Sequence, residues 1–414
     1  MTLARCLILT FIPGLAQAAD WPQFRGPAGD GHAAAKNLPA TWNETTNVAW
    51  KTPIPGKGWS SPSLYQGKLY LTTAAPIDPG SASGGELSLR ALCVDAVSGK
   101  ILWDNEVFRQ NATAPKIHNK NSHASPTPLV ERDRVYVHFG HQGTACLDLA
   151  GNVIWKSTDH RYAPVHGNGG SPVLEGGLLI FSCDGADEPF VVALNAVTGK
   201  EAWRFDRPGD PAKKFSFNTP AVIEVNGKKQ LISPAAGVVN ALDPATGREI
   251  WRVRHDGYSV IPKPVFGHGL VFLGTGYDAP TVIAIRPDGS GDVTDTHVAW
   301  TCTKGAPHAP SPLLIGNELY FVSDKGVATC LDAKTGSEHW TQRLGGNYSA
   351  SPIFADGKIY FQSEEGPAIV IAPVTTFKKL ADAGFKERTL ASYAVGDNAL
   401  FIRTEANLYR VQNK

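Results

Sequence analysis

The sequence predicts an all-β fold, an eight-bladed β-propeller of four-stranded antiparallel blades. Three observations predict it. Trp recurs at Trp50, Trp103, Trp155, Trp203, Trp251, Trp300 and Trp340, at intervals of 40 to 53 residues. Self-similarity at that period marks stacked supersecondary units. Between successive Trp residues the chain repeats one phrase: a small or polar residue before Pro, a polar turn, an alternating apolar run, then a second tight turn. The runs alternate with period two and carry β-branched and aromatic residues, as strands do.

Each unit opens at a Pro-containing pair: Ser61-Pro62, Ser125-Pro126, Ser171-Pro172, Thr219-Pro220, Lys263-Pro264, Ser311-Pro312 and Ser351-Pro352. Turns such as Gln66-Gly67-Lys68 and Asp356-Gly357-Lys358 separate the first two strands. The third strand ends in a polar turn, as at Asp95 to Lys100, Asn195 to Lys200, Asp243 to Arg248 and Asp332 to Ser337. These segments read as turn chemistry. The fourth strand carries the Trp, which the seventh unit replaces with Phe377-Lys378-Lys379-Leu380. An eighth unit starts at Ala391-Ser392-Tyr393 and ends one strand short, whereas Asn47-Val48-Ala49-Trp50-Lys51 is a Trp strand without a blade. Pairing the two closes the ring and removes exposed sheet edges. The domains expected are therefore a signal peptide at 1–19, an extension at 20–46 and one propeller at 47–414.

The N-terminus orders Arg5, an apolar run from Leu7 to Ile12, and Ala16-Gln17-Ala18. That order is a secretory signal, so a periplasmic or secreted protein without a mature membrane span is expected. The run is too short to cross a bilayer. Net charge is +1 with no basic stripe, which argues against a nucleic-acid partner. Setting Cys6 aside leaves five cysteines, an odd number for a disulfide framework. Cys93, Cys146 and Cys330 occupy equivalent repeat positions, as small buried side chains would.

The phrase Ala193-Leu194-Asn195-Ala196-Val197-Thr198-Gly199-Lys200-Glu201-Ala202-Trp203, matched at Ala241 to Trp251 and Cys330 to Trp340, resembles the repeat of quinoprotein-type, PQQ-like propellers. The resemblance covers nearly the whole mature chain. It implies an eight-bladed propeller whose Trp residues dock neighbouring blades. The opening Trp21-Pro22-Gln23-Phe24-Arg25-Gly26-Pro27 is similar to a secreted bacterial subgroup. The repeat is shared by quinone-dependent alcohol dehydrogenases and by the outer-membrane assembly lipoprotein B propeller. Dehydrogenases of the family carry adjacent cysteines and inserted cofactor loops; this chain has neither. The preferred expectation is therefore no cofactor, with pyrroloquinoline quinone (PQQ) as the alternative that the resemblance implies.

Function is expected where the repeats differ. The loops that enter the first strand and those that join the second to the third share one face. Around that mouth the sequence places Trp59, His118, His141, Asn168, Asn218, Tyr258, Lys263, Tyr348, Glu365, Tyr393 and Arg403 as candidate ligand-binding residues. Aromatic rings with a few convergent polar groups define a ligand site. Six of the twelve His lie between His118 and His166. Of the histidines, His123, His166 and His308 are the candidate acid–base residues. The metal question stays open, because His138-x-x-His141 would point its rings to opposite strand faces. The preferred reading is a binding scaffold for a small molecule, a glycan or another exported protein, acting as a monomer. An enzyme on the same face, a quinone-linked dehydrogenase or a carbohydrate-active enzyme, is the alternative.

Overall fold

A computed structural model describes residues 20–78, 85–209 and 212–414; the expected signal segment lies outside them. Eight antiparallel four-stranded sheets form the ring. Blade 1 comprises Ser63–Tyr65, Lys68–Pro76, Leu87–Asp95 and Ile101–Gln110. Blades 2 to 7 follow in sequence, each starting at the channel and ending at the rim. In blade 8, Ala394–Gly396, Ala399–Arg403 and Asn407–Val411 are completed by Val48–Pro53, which pairs from Val48 opposite Val411 to Pro53 opposite Asn407 with a bulge between Val48 and Trp50. The closure expected from the lone Trp50 strand is present.

The Trp series joins neighbouring blades. The indole N–H of Trp50 donates to Ala96 O (3.1 Å), Trp155 to Ala196 O (3.0 Å), Trp203 to Pro244 O (3.1 Å) and Trp300 to Ala333 O (3.0 Å). Each acceptor lies in the third-to-fourth-strand turn of the next blade. The glycine of that turn lies against the indole. A β-carbon on Gly199 would stand 2.6 Å from the Trp155 ring, and one on Gly247 2.5 Å from Trp203. Both glycines also have φ near +70°, which other residues rarely adopt. The turns read from sequence as simple turn chemistry are therefore also docking platforms. The joint between blades 4 and 5 departs from this pattern, because blade 5 has Pro287 where the others have the turn. Trp251 donates instead to Gln230 Oε1 (2.8 Å), and Gln230 Nε2 donates to Pro287 O (3.0 Å).

A second set of bonds closes the ring at its axis. The residue that enters each inner strand, followed by Pro in every blade but the eighth, donates its N–H to the hydroxyl of the next blade's equivalent residue: Ser61 to Thr127, Thr127 to Ser171, Ser171 to Thr219, Lys263 to Ser311, Ser311 to Ser351, Ser351 to Ser392 and Ser392 to Ser61. All seven distances fall between 2.8 and 3.1 Å. The following Pro has no N–H to satisfy, which explains the recurring Ser-Pro. Blade 2 joins the ring through Thr127-Pro128, two residues later than the Ser125-Pro126 start expected from sequence. One step is missing, between Thr219 and Lys263, where a lysine replaces the hydroxyl.

The back of the channel is closed by the segment that precedes the propeller strands. Trp21 pairs with Leu64 of blade 1, Pro22 O accepts from Val130 N of blade 2 (2.8 Å), and Gly31 O accepts from Phe354 N of blade 7 (2.9 Å). His32–Ala33 then adds a parallel strand to blade 7, and Trp42 packs on Tyr360 and Tyr393. Among the described residues, Cys93, Cys146, Cys183 and Cys330 are buried free thiols.

Candidate functional site

The front face opens into a recess of about 350 Å³. Its base is the hydroxyl ring together with Phe24, which rises from the back-face segment. Its wall is a chain of rings. His118 meets His166 at 5.5 Å, His166 meets Phe215 at 5.4 Å, and Phe215 meets Tyr258 at 5.4 Å. Tyr277 follows at 6.3 Å, and the His308 ring lies tilted behind it at 4.3 Å. Trp59 lines the recess as well. Edge-to-face packing of this kind holds each ring by its neighbour. His166 sits at φ +68°, a strained conformation for a residue with a side chain and one that concentrates at functional sites.

A strap crosses the mouth. It belongs to residues 111–128, between blades 1 and 2. On one side Asn121 Nδ2 donates to His166 O (2.9 Å), and so does His118 N (3.1 Å). On the other, Lys120 Nζ meets Glu364 Oε1 at 2.7 Å. Arg388 donates to Asn119 O (3.1 Å) and lies 5.6 Å over the Trp59 ring. Glu364 is itself buried and accepts from Ser349 Oγ (2.6 Å).

Charge at the recess is low. Burial, aided by the neighbouring His118, lowers the His166 pKa, which favours the neutral imidazole. Lys120 and Asp324 are the lining residues with formal charge. Lys120 is paired, and Asp324 Oδ2 accepts from the backbone N–H of His308 (2.7 Å).

Of the sequence candidates, Trp59, His118, His166 and Tyr258 line the recess. The rest stand elsewhere. Tyr348 and Tyr393 are buried, and Tyr393 donates to Gln362 Oε1 (2.9 Å). Asn218 is buried and donates to Pro262 O (2.5 Å). Arg403 is buried and donates to Ser60 and Thr72. Asn168 accepts from Tyr162 Oη (2.7 Å), close to His141, and Glu365 accepts from Asn347. His123, His166 and His308 do not converge. His123 faces His141, and burial keeps its pKa low; His308 backs Tyr277. Lys263 extends below the ring, away from the mouth. His138 is buried against Phe181 at 4.4 Å, so the paired spacing with His141 makes no common site. Among the described residues no group of three His, Cys, Asp or Glu side chains gathers to hold a metal. Sequence reasoning missed Phe24, Phe215, Lys120 and the hydroxyls. The last were visible as the repeated Ser-Pro, read there only as a strand start.

Ring closure, indole docking and the repeated turn define the PQQ-like propeller class. The chain belongs to the family described as outer membrane protein assembly factor BamB, matched at residues 33–155, 86–203, 161–254 and 235–376. It is 29% identical to quinohemoprotein alcohol dehydrogenase ADH IIB of Pseudomonas putida over 217 residues, 49% of this chain and 27% of the relative. To the dehydrogenase subunit of the quinone alcohol dehydrogenase of Komagataeibacter europaeus it is 25% identical, over 48% of this chain and 26% of the relative. The chain thus spans about a quarter of the length of these relatives. Two solved structures share the fold, each 12% identical. Quinohemoprotein alcohol dehydrogenase from Comamonas testosteroni has a TM-score of 0.70, covering 96% of this chain and 81% of that one. BamB from Moraxella catarrhalis has a TM-score of 0.57, covering 88% and 99%. The residues at the recess do not fit a polycarboxylate quinone. Lys120 is the cationic lining residue and already has a carboxylate partner.

No helix among the described residues is long and apolar enough to cross a membrane.

Proposed function

We propose that this chain is an exported, monomeric binding propeller whose front recess holds a small uncharged ligand, a glycan unit first of all. One observation carries the reading: an aromatic wall stands above a ring of hydroxyls, in a recess whose charged lining residues, Lys120 and Asp324, are already held by hydrogen bonds. Sugar rings present apolar faces to aromatic side chains and hydroxyls to polar ones. The Arg5-to-Ala18 pattern supports export. Titrating a panel of neutral mono- and disaccharides against intrinsic fluorescence tests the proposal: a saturable change that disappears in Trp59→Ala supports it, and no response across the panel rejects it. The likeness to alcohol dehydrogenases favours a second reading, quinone-linked oxidation. It predicts alcohol-dependent reduction of an artificial electron acceptor after incubation with quinone and calcium.

A further inference from the structure

The back face holds a second cavity, of about 290 Å³, between blades 3 and 4 and the N-terminal segment. Pro27, Val173 and Val222 give it apolar walls, and Lys263 lines it. The lysine occupies the axial position that is a hydroxyl residue in the other seven blades, so ring closure does not call for an amine there. Only 3% of the residue is exposed, and its ammonium has no hydrogen-bond acceptor among the described residues. The side chain reaches the floor segment, where a β-carbon on Gly29 would stand 2.2 Å from Nζ.

The surrounding charges disfavour an ammonium at this point. Arg25 is buried nearby, with Nε and Nη1 unpartnered. Asp30 is the opposing carboxylate, and it also binds His32 (3.2 Å). At the cavity wall Glu175 is paired with Lys229 (2.7 Å), leaving Glu224 as the other acid. Burial first, then the Arg25 charge, pushes the Lys263 pKa down to about 7 against the pull of Asp30. A desolvated lysine of this kind is a nucleophile at neutral pH.

We propose that Lys263 captures a small aldehyde from the back cavity as an imine. The amine nitrogen adds to the carbonyl carbon. The carbonyl oxygen then leaves as water with the two nitrogen protons, and a C=N bond forms. Glu224, on the same wall, relays the proton to the departing hydroxyl.

Propanal with sodium cyanoborohydride, followed by peptide mass spectrometry, tests the proposal on the full chain. At pH 7.5 Lys263 is alkylated at least roughly tenfold faster than surface lysines, whose amines titrate near 10.4. The rate at Lys263 rises with a midpoint near pH 7, and Lys263→Met abolishes the fast adduct. Labelling of Lys263 no faster than the surface average, or a fast adduct that persists in Lys263→Met, overturns the proposal. Should Lys263→Met fail to fold, the wild-type pH profile decides alone: a midpoint near 7 supports capture, and a surface-like profile rejects it.

Discussion

Tyr258 and Tyr393 both precede an inner strand, yet one lines the recess and the other lies in the core. The loops that carry them differ in their surroundings. On the side of blades 1 to 4, three consecutive connections are long: residues 111–128, 158–172 and 207–220, of 18, 15 and 14 residues. Their described residues stack ring against ring, from His118 through Phe215, which gives Tyr258 an aromatic neighbour at the mouth. Before blades 7 and 8 the connections are residues 344–352 and 385–393, nine each. Tyr393 instead lies between blades, where it meets Trp42 and Tyr360. The recess is therefore lopsided, with an aromatic half beside the three long loops and a plain half beside blades 7 and 8.

The comparison is broken most sharply at Tyr393. Tyr393→Ala should cost about 3–5 kcal/mol of stability, as large core truncations do, and leave affinity at the recess unchanged where the protein is folded. Urea unfolding and ligand titration separate the two effects. The reverse result would move Tyr393 into the site. Tyr258→Ala should do the opposite, with an affinity loss of about tenfold, or 1.4 kcal/mol, and a smaller stability change.

The strap sharpens the comparison further, since it ties the two halves together. Lys120→Met removes the partner of the buried Glu364 carboxylate and should speed ligand dissociation about three- to tenfold, since interface changes act mainly on off-rates. Stopped-flow release measures it; an unchanged rate would mean that the strap does not cover the bound ligand.

The effect that touches the recess least is a pH dependence of stability carried by a buried histidine of blade 2. Burial, with His160 and His141 as lesser causes, pushes the His138 pKa down to about 3 from an ordinary 6.5. Between those values the unfolded chain binds the proton and the folded chain does not. Stability should therefore fall as pH drops from 6.5 towards 3, and His138→Gln should flatten that limb without altering binding. Urea midpoints measured against pH check it.

The fold was legible because its determinants repeat. Trp50 to Trp340 and the Ser-Pro pairs recur, and most copies perform the same docking task, with Trp251, Ser125 and Lys263 as the exceptions. The lone Trp50 strand even disclosed how the ring closes. The site was legible only in part. Position before the inner strand identifies a residue near the axis, but the direction of its side chain depends on its neighbours in the fold. Trp59, His166 and Tyr258 turned outward; Tyr348, Asn218 and Arg403 turned into hydrogen bonds or core packing. Lys263 was expected at the mouth among the ligand-binding candidates, yet its long side chain leads to the opposite face. Phe24 was out of reach of repeat logic, since it belongs to a segment with no counterpart in any blade.

The most direct measurement is calorimetric titration of the wild type and Trp59→Ala with neutral saccharides, paired with a crystal soaked in the best binder. A single saturable site, density against the aromatic wall and a roughly tenfold or greater loss in Trp59→Ala are predicted. Absence of binding across the panel, or binding that Trp59→Ala leaves intact, would contradict the assignment of the front recess as a glycan site.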